Sequence, residues 1–344
     1  MIDVPVIDLS EVDHDRDGVA AAIGSACETV GWFQVTGHGV PQAVIDRMLG
    51  AADDFFALDL HEKRRSLPPD PSVNRGYAPP GTESLAYSQG EHAPPDLFEA
   101  FNLGPDHVEP ELRAHPEGGR FFPPNVWPGA PVGFRAAMVD YFAEVRALAH
   151  RLTGLFAIAL DLAPDFFESR TDHSTDVLRV IRYERRPGTP APTPDQAGMG
   201  AHADYGIVTV LYADDVPGLE IVAPDGTWTP VRPAPGAYCA NIGDLLAQWT
   251  NDRWRSTLHR VVPPTDDHPL RRSAAFFHDG NFDAVVECLP SCVSAQNPAR
   301  YEPVLAGEHL VAKVIGPRTF SSSQATSTAG DRITTAARSE ARSG

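Results

Sequence analysis

The spacing of apolar residues changes character near residue 176. Before that point the pattern has helical period. Val19, Ile23, Ala26, Cys27 and Val30 recur at three- and four-residue steps. So do Val44, Ile45, Met48, Leu49, Ala52, Phe55 and Phe56, behind a Pro41 placed where a first helical turn tolerates it. Two short strand signals, 4-VPVIDL-9 and 32-WFQVTGHG-39, flank the first of these helices. Residues 66–130, rich in Pro and Gly, read as loops. A long amphipathic segment over 131–162 carries Phe134, Met138, Tyr141, Val145, Leu148, Leu152, Leu155 and Phe156 on one side, as a scaffold helix backing a sheet would.

After 176 the chain turns into short β-branched runs: 177-VLRVIRY-183, 206-GIVTVLY-212, 219-LEIVA-223, 237-AYCANI-242, 258-LHRVV-262 and 273-SAAFF-277. The 224-PDGT-227 join is a tight-turn signal. Many short strands after a helical preface predict a mainly β protein with flanking helices and a jelly-roll core. Beyond about Gly316 the sequence becomes polar and of low complexity, which predicts a disordered tail.

Composition narrows the function classes. The chain has 344 residues, 42% hydrophobic and 22% charged, with 33 prolines that argue for many turns. A net charge of −18 speaks against nucleic acid and anionic membrane as partners, and a small molecule is the expected one. No apolar run is long enough to span a membrane, and the first residues lack a basic start and an apolar signal core, so the cytoplasm is the expected location. Four cysteines are too few for a disulfide scaffold, and the lone Cys288/Cys292 pair reads as buried or free thiols rather than a zinc site. Only Lys63 and Lys313 are lysine, against 26 arginines, a bias of genome composition rather than of chemistry. Oligomeric state is not legible.

The chemistry concentrates in 201-AHADYGIVTV-210. Two ionisable groups at the mouth of an apolar strand are expensive to bury unless something pairs with them. Residues i and i+2 of a strand share a face, so His202 and Asp204 can converge while Ala203 turns away. His259, at the start of another β-branched run, is the best third ligand. Two histidines and a carboxylate with open positions form the facial triad of non-haem Fe(II) oxygenases. A chance H-x-D is the competing reading. Downstream, Arg271 and Ser273 again share strand parity, a guanidinium fork beside a hydroxyl that suits a carboxylate. A surface ion pair is the alternative there. Phe277 continues that parity toward a substrate, and Phe101 is a second candidate; core packing competes for both.

Taken together, HADYG, then NIGDLLAQWTNDRWRSTLHRV, then RRSAAFF resemble the isopenicillin N synthase-like branch of the Fe(II)/2-oxoglutarate-dependent dioxygenases. The stretches 5-PVIDL-9, 31-GWFQVTGHGV-40, 55-FFALDLHEKR-64, 74-NRGY-77 and 124-PNVWP-128 extend the resemblance over residues 4–315. It implies a distorted double-stranded β-helix. It implies Fe(II) on His202, Asp204 and His259, and 2-oxoglutarate on Arg271, Ser273 and the Tyr183 hydroxyl. O₂ is then the oxidant, succinate and CO₂ are released, and a small molecule of natural-product metabolism, antibiotic biosynthesis included, is hydroxylated, with desaturation or cyclisation as variants. The implied organisation is an N-terminal region 1–130, a scaffold helix 131–175, the oxygenase core 176–315 and the tail 316–344. Ile181 departs from the family's asparagine at that position. Asp204, where related halogenases have a small residue, disfavours halogenation. Two alternatives stay open: an oxidase of the same branch that uses no 2-oxoglutarate, and a non-catalytic metal-binding β-sandwich.

Overall fold

The computed structural model describes residues 4–318, apart from 71, 87–92, 187, 189–190 and 194. Two sheets face each other. The larger is built from β1 (Val6–Asp8), β2 (Trp32–Thr36), β3 (Gly76–Ala78), β4 (Phe98–Leu103), β5 (Val177–Glu184), β7 (Val208–Ala213), β10 (Tyr238–Ile242) and β12 (Leu270–His278), in the order β1-β2-β10-β7-β12-β5-β4-β3. The smaller holds β6 (Met199–His202), β8 (Leu219–Val222), β9 (Trp228–Pro230) and β11 (His259–Val261), ordered β6-β11-β8-β9. Most ladders are antiparallel; β1 and β2 run parallel. The mainly β architecture with flanking helices is the one the patterning predicts.

The outer face of the large sheet is closed by helices Arg16–Thr29, Gln42–Ala57 and Phe134–Ala159. Each buries the stripe its spacing predicts. Met138, Tyr141, Val145, Leu148, Leu152 and Phe156 of the longest helix lie in the main core with Ala274 and Phe276 of β12. Phe142 meets Phe276 edge to face at 5.0 Å. Alternate residues of the same strand, Arg271, Ser273, Ala275 and Phe277, line a cavity between the two sheets instead. The period-2 rule thus separates scaffold from site along one strand.

Residues 66–130 are not all loop. They supply β3 and β4: β4 pairs with β5 through registers such as Ala100↔Ile181, and β3 pairs with β4, as in Tyr77↔Phe101. The strand signal in 98-FEAFNL-103 is masked by Glu99 and Asn102, both buried polar residues, of which Glu99 is held by tertiary partners. Glu99 takes hydrogen bonds from Lys63 Nζ and Tyr77 Oη, both at 2.7 Å. The N-terminal region therefore borders the large sheet on both sides, with β1 and β2 at one edge and β3 and β4 at the other. At the C-terminal end, Gly316 falls inside a helix over Ala306–Arg318, and the rest of the predicted tail lies outside the described residues.

Candidate metal centre

His202 closes β6 and His259 opens β11, and the two are direct cross-strand partners with ring centroids 4.2 Å apart. Asp204 is on neither strand. β6 ends at His202, and Asp204 lies in the link that crosses from the small sheet to β7 in the large one. Convergence therefore comes from a crossover between sheets rather than from strand parity, because the apolar run that seemed to hold both residues begins only at Val208.

The hydrogen bonds around the three side chains leave one atom of each for a cation. The Gly200 carbonyl accepts from Nδ1 of His202 at 2.8 Å, which puts the ring proton there and frees Nε2. The Thr257 carbonyl stands 3.3 Å from Nδ1 of His259 and does the same. Both Nε2 atoms face Oδ1 of Asp204, at 3.8 and 3.7 Å, and all three ligand atoms lie within 4.8 Å of one another. Asn241 donates to the other carboxylate oxygen at 2.7 Å.

All three residues are buried. Burial and the neighbouring imidazole of His259 push the pKa of His202 down to about 4, so it is neutral near pH 7. Burial opposes ionisation of Asp204, but the two histidines and hydrogen bonds from Asn241 and Thr209 bring its carboxyl below the ordinary range. A neutral imidazole beside an ionised carboxylate is the state in which such groups bind a divalent metal without first losing a proton. The donor set fits Fe(II) and leaves coordination positions open.

Arg271, Ser273 and Tyr183 sit on the large-sheet wall of the same cavity, almost without solvent exposure. Arg271 and Tyr183 are cross-strand partners, and the guanidinium carbon is 5.2 Å from the phenol ring centroid. Nη1 reaches Ser273 Oγ at 3.4 Å, Nε has no partner, and no carboxylate among the described residues forms an ion pair with this guanidinium. A buried, unpaired cation of this kind costs several kcal/mol unless a ligand neutralises it, on the order of the ~3–5 kcal/mol seen when a buried pair is broken. A carboxylate of 2-oxoglutarate would do so. Ile181 faces the same cavity opposite Ser273 and offers only apolar contact. Arg182 points outward, to Asp53 and Glu184.

The space in the cavity that a water-sized molecule can occupy is about 130 Å³. Phe277 lines the cavity. Phe101 does not: it pairs with Val180 on the helix-facing side of β4 and packs between Phe55 and Phe134, with centroids 5.2 and 4.8 Å away. Three wall residues escape a reading of motifs. Arg179 is ion-paired to Glu83 at 2.8 Å. Trp32 stands edge-on to His259 at 5.0 Å. Asp279 continues the parity of Arg271, Ser273 and Phe277, and that parity is the signal by which sequence could have found it.

Comparison with known proteins agrees with this geometry. Residues 4–130 match the family described as non-haem dioxygenase in morphine synthesis N-terminal, and residues 175–280 match the 2OG-Fe(II) oxygenase superfamily. A 2-oxoglutarate-Fe(II) type oxidoreductase of Emericella nidulans is 33% identical over 309 residues, 87% of this chain and 86% of that one. The chain belongs to the 2OG-Fe(II) oxygenase superfamily. Another relative in this superfamily, the validamycin A dioxygenase of Streptomyces hygroscopicus subsp. limoneus, is 30% identical over 91% of this chain and 86% of its own length. Among solved structures, a full-length Neurospora crassa protein in complex with alpha-KG superposes with a TM-score of 0.80 at 28% identity, covering 90% of this chain and 95% of that one. The same Neurospora protein has also been solved with alpha-KG and thymine. The 2OG-Fe(II) oxygenase described here is thus a dioxygenase that uses Fe(II), 2-oxoglutarate and O₂, on a double-stranded β-helix. No helix among its described residues is long and apolar enough to cross a membrane.

Proposed function

We propose that His202, Asp204 and His259 hold the Fe(II), and that Arg271, Ser273 and Tyr183 take the distal carboxylate of 2-oxoglutarate. The enzyme then hydroxylates a small organic molecule lying against Phe277. When bound, the iron and 2-oxoglutarate supply an oxidant strong enough for an unactivated C–H bond, with succinate and CO₂ released. The protein's own part is positional. The Gly200 and Thr257 carbonyls orient the two imidazoles, Asn241 holds the carboxylate, and Arg271 fixes the co-substrate on the large-sheet wall of the cavity. The apolar wall from Ile181 to Phe277 keeps water away from the reacting centre.

The observation that carries this reading is the buried Arg271 without an acidic partner among the described residues, on the wall of the cavity that also holds the His-Asp-His cluster. It also weighs against a metal-binding β-sandwich without catalysis, as does the three-ligand set, because structural zinc sites close with four protein ligands. The decisive experiment is anaerobic addition of Fe(II) and 2-oxoglutarate, with the visible charge-transfer band of the chelate as readout. The band is expected in the wild type and absent in His202→Ala. Succinate formation at the full wild-type rate in His202→Ala would sink the metal assignment.

Finer placements belong to the same proposal. The motifs quoted above support the isopenicillin N synthase-like branch. A relative that acts on validamycin A supports natural-product or antibiotic metabolism as the setting. Net charge of −18 supports an enzyme without nucleic-acid or anionic-membrane partners. Residues 1–130, 131–175 and 176–315 act together as one catalytic unit in this reading.

A further inference from the structure

Asp279 stands one two-residue step beyond Phe277 on the inward-facing row of β12, just after the strand ends at His278. Its backbone is pinned on both sides. Ile207 N donates to the His278 carbonyl at 2.9 Å, Gly280 N donates to Ser174 Oγ at 2.9 Å, and Thr175 N donates to the Gly280 carbonyl at 2.9 Å. The carboxyl lies against Gly206: a Cβ there would be 2.1 Å from Oδ1, so the absence of a side chain at 206 is what makes room for it.

The other acids around the cavity have partners inside the protein. Glu83 holds Arg179, and Asp96 accepts from the backbone of Leu85 and Gly200. Asp176 is held by His278 and Ser174, and Asp204 by Asn241. Asp279 alone among them has no hydrogen bond or ion pair to any described residue. The charged groups that act on it at longer range are Asp176, Asp204 and Arg75. Asp279 is half-buried, and a carboxyl on a cavity wall with no partner among the described residues is placed to meet a polar group of a bound ligand.

We propose that Asp279 is the specificity-determining contact for the organic substrate, pairing with an N–H or O–H donor on it while Phe277, Val177 and Leu85 cover the substrate's apolar part. The substrate class is a small molecule with an apolar skeleton and an amide, amine or hydroxyl donor. The inference rests on the cavity being the oxygenase site.

The test uses matched probes that differ only in the donor: benzamide and N,N-dimethylbenzamide, benzyl alcohol and benzyl methyl ether, thymine and 1,3-dimethylthymine. Binding is read anaerobically from the shift of the Fe(II)–2-oxoglutarate band, which also reports that each variant is folded and loaded. In the wild type at least one donor probe should bind about tenfold more tightly than its capped partner. Asp279→Leu should reduce that ratio to about threefold or less, the part due to the bulk of the cap. Asp279→Asn, which still accepts through its amide oxygen, should keep an intermediate ratio. No donor preference in the wild type, including no binding by any pair, overturns the assignment, as does a preference that survives in both variants. Absence of the band in the wild type overturns the oxygenase-site reading itself, so the two failures are distinguishable.

Discussion

Asn241 donates from Nδ2 to Oδ2 of Asp204 at 2.7 Å, and so leaves Oδ1 as the carboxylate atom that faces both histidines. Asn241 is itself buried in β10, opposite Thr209 of β7, so its amide is fixed by the sheet. Partners of this kind orient ligands, and their loss typically weakens metal binding by about 10–100-fold. Asn241→Ala is expected to do so, measured by Fe(II) titration. Asn241→Asp should weaken it further, because a second carboxylate would compete for the position of the first. Unchanged affinity in both variants would remove Asn241 from the site.

Arg271 presents its charge without an acidic partner among the described residues, so its loss should appear in co-substrate binding rather than in folding. Charge-assisted hydrogen bonds contribute about 1.5–3 kcal/mol each. Arg271→Ala is therefore expected to raise the 2-oxoglutarate concentration for half-maximal succinate formation by about 100-fold, with Fe(II) affinity retained. Arg271→Lys keeps the charge but loses the planar fork, and should recover only part of that loss.

Lys63 and Glu99 form a pair at 2.7 Å whose side chains are only 5% and 7% exposed. Tyr77 Oη and the Phe56 carbonyl complete the network. Removing one partner leaves the other charge buried. Lys63→Met should lower unfolding stability by about 3–5 kcal/mol in urea melts. Adding Glu99→Gln to Lys63→Met should restore part of it, which a double-mutant cycle would measure. Equal loss in single and double variants would mean that the pair is not coupled.

Acid should destabilise the protein partly through His150. Burial, followed by the nearby His278, lowers its pKa to about 4. The unfolded chain takes up that proton near pH 6.5, whereas the folded chain does so only near pH 4. Stability is thus complete above about 6.5 and falls as pH drops from there toward 4. Asp96, raised by burial to about 6, acts with the opposite sign, gaining stability as pH falls through 6. His150→Phe should therefore flatten the decline in Tm between about pH 7 and about pH 4.5. A slope identical to the wild type would exclude His150 as a contributor. His202, also lowered to about 4, leaves a residual decline in the metal-free protein.

Much of the site was legible in local pattern. Period-2 spacing put Arg271, Ser273 and Phe277 on one face, and the same rule carried one step further reaches Asp279. The helical stripes of Arg16–Thr29, Gln42–Ala57 and Phe134–Ala159 were readable because they pack on one side only. Three expectations failed where long-range structure decides the outcome, one of them strand parity as the route by which Asp204 meets His202. β4 looked like loop because its strand pattern is interrupted by Glu99 and Asn102, and Lys63 and Tyr77 are what make Glu99 tolerable inside the sheet. Phe101 looked like a candidate substrate contact, and the register Phe101↔Val180 turned it toward the helices.

By itself the sequence determined the kind of fold and the residue types available for chemistry. Hydrophobic period is a local property, and so are the spacings H-x-D and R-x-S. What only the tertiary structure decided is which of those groups meet and which remain unpaired. His259 joins His202 through a cross-strand pairing, and Asp204 reaches them from a link between two sheets. Arg271 and Asp279 become significant only once the fold is seen to give neither of them an ion-pair contact among the described residues. Hydrogen bonds and desolvation depend on neighbours distant in the chain, so no local spacing encodes them.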